Sequence, residues 1–150
     1  MIYGIETFDS TYDELLPLIQ EHHEEIDEYK EKLYVNIDKG FYQAIEGSGH
    51  LLIFTARTDD GKLVGYASFI IQRNPHYQHT VFGINDAIFV KKEYRNTKAG
   101  VELVRRAEEV LKNKIGVEFI TYHAKVKHSL TRFFKKLGYR MHEHSYMKEV

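Results

Sequence analysis

The sequence predicts an α/β fold: a mixed, mostly antiparallel sheet flanked by helices, in the order β-α-α-β-β-β-α-β-α-β. Three observations carry this. Runs of apolar, β-branched and aromatic residues at 51–57 and 63–71 flank Asp60-Gly61, a two-residue hairpin signal, and 80–90 adds a third run after Asn74-Pro75. Two later stretches keep helical spacing, first Leu103, Val104, Ala107, Val110 and Leu111, then Leu130, Phe133, Phe134 and Leu137. Between them, 117–124 is again strand-like, so helix and strand alternate to the end.

Taken in order, Ile2 to Phe8 alternates as a first strand. Thr11-Tyr12-Asp13-Glu14 is a capping-box pattern ahead of Leu15, Leu16, Ile19 and Ile26, and Pro17 is expected to bend that helix or delay its start. A second helix is expected from Asn36, an N-cap type, to about Glu46, closed by Gly47 and Gly49. The three strand runs then form a meander. A third long helix begins at about Ala99 and runs to Lys112. Ser129 is placed to cap the last helix and Gly138 to end it, after which Tyr139 to Lys148 reads as a closing strand.

No repeat, linker or low-complexity tract interrupts this series, so 1–150 reads as one domain. The 43% hydrophobic content lies well outside the disordered class. Without cysteine there is neither a disulfide framework nor a thiolate nucleophile. The start, MIYGIETFDS, lacks a basic flank before an apolar run, and no apolar run approaches a membrane span. A cytoplasmic protein with no membrane partner is the expectation. Net charge is −1, yet residues 1–40 hold eleven acidic residues against three lysines, while 91–140 hold fourteen Lys or Arg against five acidic residues. The basic half either is a solvated face or meets an anion, a phosphorylated cofactor or nucleic acid.

The stretch VKKEYRNTKAGVELVRRAEE, Val90 to Glu109, is a strand end, a basic turn and a helix start. Free amides and the positive end of the helix dipole make such an entry a place for an anion. Turn composition alone favours an ordinary surface turn with its charges in water. Neither GxxxxGK[ST] nor GxGxxG after the first strand is present.

With the meander before it and LTRFFKKLGY after it, this stretch resembles the GNAT superfamily, the acyl-CoA-dependent N-acyltransferases. The family's R/Q-x-x-G-x-G/A signature falls on Arg95, Ala99 and Gly100, with Lys98 in place of the first glycine. LTRFFKKLGY resembles the family's late helix ending in fYeklGF. Asn74 to Tyr77 together with INDAIFV looks most like small members encoded by tailed phages. The resemblance implies a GNAT-like fold with acetyl-CoA as cosubstrate. Its pantetheine arm would lie along Ile88, Phe89 and Val90, and its diphosphate in the turn from Arg95 through Asn96, Thr97, Lys98, Ala99 and Gly100 to Val101. A lysine at 98 is compatible if its amide faces the ligand; a positive φ there would cost ~1–2 kcal/mol.

The chemistry needs a base for the acceptor ammonium, and Asp86 is the only acidic residue on the fourth strand. Burial would raise its pKa and strengthen it as a base; a structural Asp bonding backbone at a bulge is the alternative. The oxyanion donor implied by resemblance is the N–H of Phe89 or Val90. The family's thiolate-protonating tyrosine is here Phe134, and Lys127 replaces a common asparagine. Another group then protonates the thiolate, or it leaves unprotonated, or the protein is no catalyst. Among Tyr94, Tyr139 and Tyr146 the last is preferred, because the terminal strand borders the acceptor cleft in related folds.

His76 and Tyr77 are read as a wall of the acceptor pocket or as a plain polar turn. Nine histidines include the pairs His22-His23, His76-x-x-His79 and His142-x-His144, but no third ligand accompanies any pair, so no metal is expected. The function expected is acetyl transfer from acetyl-CoA to a primary amine, on a small molecule or a protein. The acidic run EHHEEIDEYKE would favour a cationic acceptor, or is a solvated helix face. The alternative is a non-catalytic acyl-CoA-binding or partner-binding module. Nucleic-acid association through Lys125, Lys127, Arg132, Lys135 and Lys136 stands last, and a homodimer is left open.

Overall fold

The computed structural model describes all 150 residues, Met1–Val150. Strands β1 (Ile2–Glu6), β2 (Leu51–Arg57), β3 (Leu63–Asn74), β4 (Tyr77–Val90) and β5 (Phe119–Thr121) form one sheet in that order. All neighbours are antiparallel except β4 and β5, which run parallel. Helix α1 (Phe8–Ile26) packs on one face, with α2 (Lys39–Gly47) beside it, and α3 (Ala99–Val110) packs on the other. A short α4 (Thr131–Lys136) follows β5. Strand alternation divides the core. Tyr66 and Phe89 join Phe8, Leu15 and Leu18 under α1, whereas Ala67, Phe69 and Val90 join Ala99, Leu103, Val104 and Ala107 under α3.

Several elements differ from the sequence reading, each for a local reason. The first helix starts at Phe8, because Thr7 rather than Thr11 is the cap, its side chain accepting from the Ser10 amide. Thr11 is buried and bonds back to the Thr7 carbonyl instead. The helix continues through Pro17, forgoing one backbone donor. The second helix starts at Lys39, since Asp38, not Asn36, caps it at the Phe41 amide. Asp60-Gly61 lies in a five-residue connection, Thr58–Lys62, closed by Thr58 N–H to Lys62 O; Gly61 takes φ +88°. The true tight hairpin is Asn74-Pro75-His76-Tyr77, which lengthens β3 and β4 beyond the predicted bounds. A turn of π-helix at Leu111–Ile115 ends the third helix at Gly116, φ +80°.

The predicted closing strand at Tyr139–Lys148 is absent. On the face that Tyr139 would share with Met141 and Met147, Glu143 and Ser145 interrupt, so the segment has no continuous apolar side to bury. Met141 and Met147 are accordingly exposed. No helix is long and apolar enough to cross a membrane.

Candidate active site

β5 pairs with β4 only from Phe82 to Ile84, and beyond that point β4 runs on alone as far as Val90. The sheet therefore forks at Asn85–Asp86, and His123 Nδ1 lies 3.3 Å from the Asn85 carbonyl at the crotch. On its other side β4 is still paired with β3, with one irregularity. Ser68 lies opposite Ala87 and Phe69 opposite Asn85, so Asp86 is an extra residue, a β-bulge. Asp86 and Ala87 consequently both lie on the α1/α2 side. Asp86 Oδ2 accepts hydrogen bonds from Tyr42 Oη (3.0 Å) of α2 and from Ser68 Oγ (3.1 Å) of β3. Its Oδ1 makes no hydrogen bond, and the residue is exposed, so the burial expected from its apolar neighbours is not present. The backbone-bonding residue at the bulge is not Asp86 but Asn85.

Beyond the bulge, the Lys91 amide bonds to the Val64 carbonyl. Antiparallel alternation then directs the polar groups of Phe89 toward β3 and those of Ile88 and Val90 toward the open flank. Of these, the Val90 carbonyl is taken by Arg95 Nε at 2.7 Å. In the turn that follows, the Arg95 amide bonds to Lys92 O, the Thr97 amide to Tyr94 O and the Ala99 amide to Thr97 Oγ. The amides of Asn96, Lys98, Gly100 and Val101 have no acceptor within the protein. Four unsatisfied donors at the head of a 12-residue helix form a cradle for an anion. Lys98 is the helix N-cap at φ −78°, ψ 1°, and no non-glycine residue has positive φ. The strain considered for a lysine there does not arise.

A family model described as acetyltransferase (GNAT) family matches residues 9–139. The chain belongs to the GNAT family. Solved structures with the same fold include a BH1408 protein variant from Bacillus halodurans, 17% identical over the whole of both chains with a TM-score of 0.79. A ribosomal-protein-alanine N-acetyltransferase from Brucella melitensis biovar Abortus 2308 is 14% identical over the whole of both chains, TM-score 0.73. An aminoglycoside acetyltransferase from an uncultured soil metagenomic sample is 13% identical, covering 99% of this chain and 93% of that one, TM-score 0.74. At such identities the likeness is one of fold. No curated protein sequence matches the chain.

On this GNAT scaffold, Asp86, the flank Ile88–Val90 and the turn Arg95–Val101 fall along one path from fork to helix. Other residues singled out in the sequence lie elsewhere. His76 and Tyr77 sit at the exposed tip of the β3–β4 hairpin, with Tyr77 62% exposed. Nine residues of strand, ~30 Å, separate Tyr77 from Asp86. Tyr146 is 92% exposed in the unpaired terminal segment and bonds to nothing. Phe134 is buried, its ring 4.5 Å from Tyr122 and 5.5 Å from Tyr139. The Tyr139 hydroxyl is committed to Glu108, and Tyr94 packs against the α3-side core. No three His, Cys, Asp or Glu side chains gather as metal ligands.

The acidic run at the end of α1 and just beyond it is largely ion-paired rather than open. Glu21 meets Lys91 at 3.3 Å, Glu25 meets Arg95 at 2.6 Å and Glu28 meets Lys127 at 3.3 Å. The Arg95 guanidinium also lies over the Phe89 ring at 5.2 Å and holds the Glu25 carboxyl below the usual carboxylate range. His22 stacks on Phe89 and lies 3.4 Å from Tyr66 Oη; burial lowers its pKa to about 4, so it is neutral at pH 7. Sequence reasoning missed Tyr42, Ser68, Asn85, His22 and Glu25. Asn85 adjoins Asp86 within INDAIFV, and His22 and Glu25 belong to the acidic run, but nothing in the sequence marked their contacts. Tyr42 and Ser68 reach the fork from α2 and β3, which no linear spacing reports.

Proposed function

We propose that the chain is an N-acetyltransferase that moves an acetyl group from acetyl-CoA to a primary amine by direct attack on the thioester. The observation that carries this is the cradle of four unsatisfied amides, Asn96, Lys98, Gly100 and Val101, continuous with the open flank of β4. The cradle suits a diphosphate, and the Val90 N–H and the Ile88 C=O suit an extended amide-bearing arm added as a strand would be. The acetyl carbonyl then comes to the fork. Asp86, held at Oδ2 by Tyr42 and Ser68, offers Oδ1 to the acceptor's ammonium. Asp86 takes one proton from the ammonium and passes it to water; the freed amine adds to the carbonyl, and the tetrahedral oxyanion collapses with loss of the C–S bond as the nitrogen gives a second proton to Asp86. Of the flank-facing amides, that of Ile88 lies nearest the fork and, in place of Phe89 or Val90, is the better-placed oxyanion donor. With Phe134 in the usual tyrosine position and Tyr146 exposed, the thiolate is released toward water, which supplies its proton. Because Glu21, Glu25 and Glu28 are paired, recognition of the acceptor rests on Asp86 rather than on a wide acidic surface.

The test is twofold. Acetyl-CoA at millimolar concentration should raise the melting temperature by mass action, and thiol release should follow addition of a primary amine from a broad panel. No thermal shift removes the reading altogether. A shift without thiol release for any amine favours the second reading, a non-catalytic acyl-CoA-binding module, for which the buried, hydroxyl-free Phe134 is the motivating observation.

A further inference from the structure

We propose that Asn85 is a positioning residue that locks the β4 bulge and thereby aims Asp86 at the acceptor; this rests on the acetyl-transfer reading above. A regular strand alternates its faces, and a slip of one residue turns every following side chain over. In β4, Gly83 meets Leu111 and Val117 on the α3 side, and Ile88 and Val90 also face α3. An odd-numbered set before the fork and an even-numbered set after it share that side, so the phase must change once between them. The change occurs at the extra residue, and it lets Asp86 and Phe89 share the α1/α2 face.

A bulge leaves backbone groups without ladder partners. Here a side chain supplies the missing donors. Asn85 is 3% exposed, and its Nδ2 donates at 2.9 Å to Ser68 O across the ladder and at 2.9 Å to Ala87 O within its own strand. Both neighbours are carbonyl oxygens, so only the amide NH2 can face them, and both of its hydrogens are used. The two bonds span the extra residue on either side. The Asn85 carbonyl, near His123 Nδ1, adds a tie to the chain after β5. Neither end of the strand can absorb a slip easily. Residues 82–84 are paired with β5, while Phe89 and Val90 are buried in the two cores and Lys91 is bonded to Val64. The slack therefore falls on Asp86, which is exposed and held by two side-chain hydrogen bonds alone.

The experiment is a double-mutant cycle read in kcat and in KM for acetyl-CoA. Asn85→Ala is expected to lower kcat by about 10²-fold while KM for acetyl-CoA stays within about threefold, since the cradle is untouched. Acting through Asp86, it should add nothing further to Asp86→Asn, so the double variant should match Asp86→Asn alone. Additive losses in the double variant, or kcat within about threefold of wild type for Asn85→Ala, would overturn the proposal. If Asn85→Ala does not fold, Asn85→Ser and the isosteric Asn85→Asp, which cannot give both bonds, replace it in the same cycle. If the wild-type protein turns over no amine, the functional reading fails by itself. Asn85 is then judged by crystal structure of the variant: Asp86 displaced from Tyr42 and Ser68 supports the lock, and an unchanged bulge overturns it.

Discussion

At Lys98 the backbone has φ −78° and ψ 1°, a conformation open to any residue. The glycine of the family pattern is thus not required there for its freedom, and the lysine leaves its amide unbonded and available. Lys98→Gly should change stability by only a few tenths of a kcal/mol, since glycine is itself an acceptable N-cap. The thermal shift given by acetyl-CoA should persist in that variant, and its loss would mean that the ammonium, not the amide, does the holding. Asp86 is the opposite case, where the side chain is the function. Asp86→Asn keeps the shape and can still bond to Tyr42 and Ser68, but it cannot take a proton. kcat should fall by about 10²–10⁴-fold with the acetyl-CoA thermal shift intact. An unchanged kcat would take the base role away from Asp86.

Among the elements, the start of α3 was the most legible in the sequence, because strand, basic turn and helix are contiguous and the amides that matter belong to the motif itself. β2 was equally legible: its bounds, Leu51–Arg57, follow directly from its apolar run. The end of the chain was not. The fold class and the meander stand, but the closing strand does not form, because Glu143 and Ser145 break the apolar face. The fork was half legible: Asp86 stands out as the one acid on its strand, whereas the bulge that turns it depends on an asparagine bonding across to β3. At Gly100 element and motif meet. An added Cβ would lie 3.8 Å from the Phe133 ring, ordinary contact, so Gly100→Ala should fold normally. Gly100→Glu should also fold but place a carboxylate at the anion cradle, abolishing the acetyl-CoA thermal shift that Gly100→Ala retains. Retention of the shift in both would move the diphosphate away from α3.

For the whole molecule, the same pairings that organise the site make stability depend on pH in one direction. His22 lies half-buried against Phe89 and Tyr66, with Glu25 and Arg95 as its charged neighbours, and its pKa is lowered to about 4. An unfolded histidine titrates near 6.5. Between those values the unfolded chain binds a proton that the folded chain refuses, so this contribution is whole above about pH 6.5 and is lost as pH falls toward 4. Its size is on the order of 3 kcal/mol. Near the foot of that window a second loss begins. Arg57 forks to Glu6 and Glu14 and Arg95 to Glu25, and each guanidinium holds its carboxyls below the usual range. Those contributions are whole above the ordinary carboxylate range, about 4.5, and are lost as pH falls from there through the lowered values. Thermal melts across pH 8 to 3 should therefore show a first decline between about 6.5 and 4 and a second, steeper one setting in near its foot. His22→Gln, which can still bond to Tyr66 but does not titrate, should flatten the first decline and leave the second. An identical slope in the variant would show that the proton is taken up elsewhere in the protein.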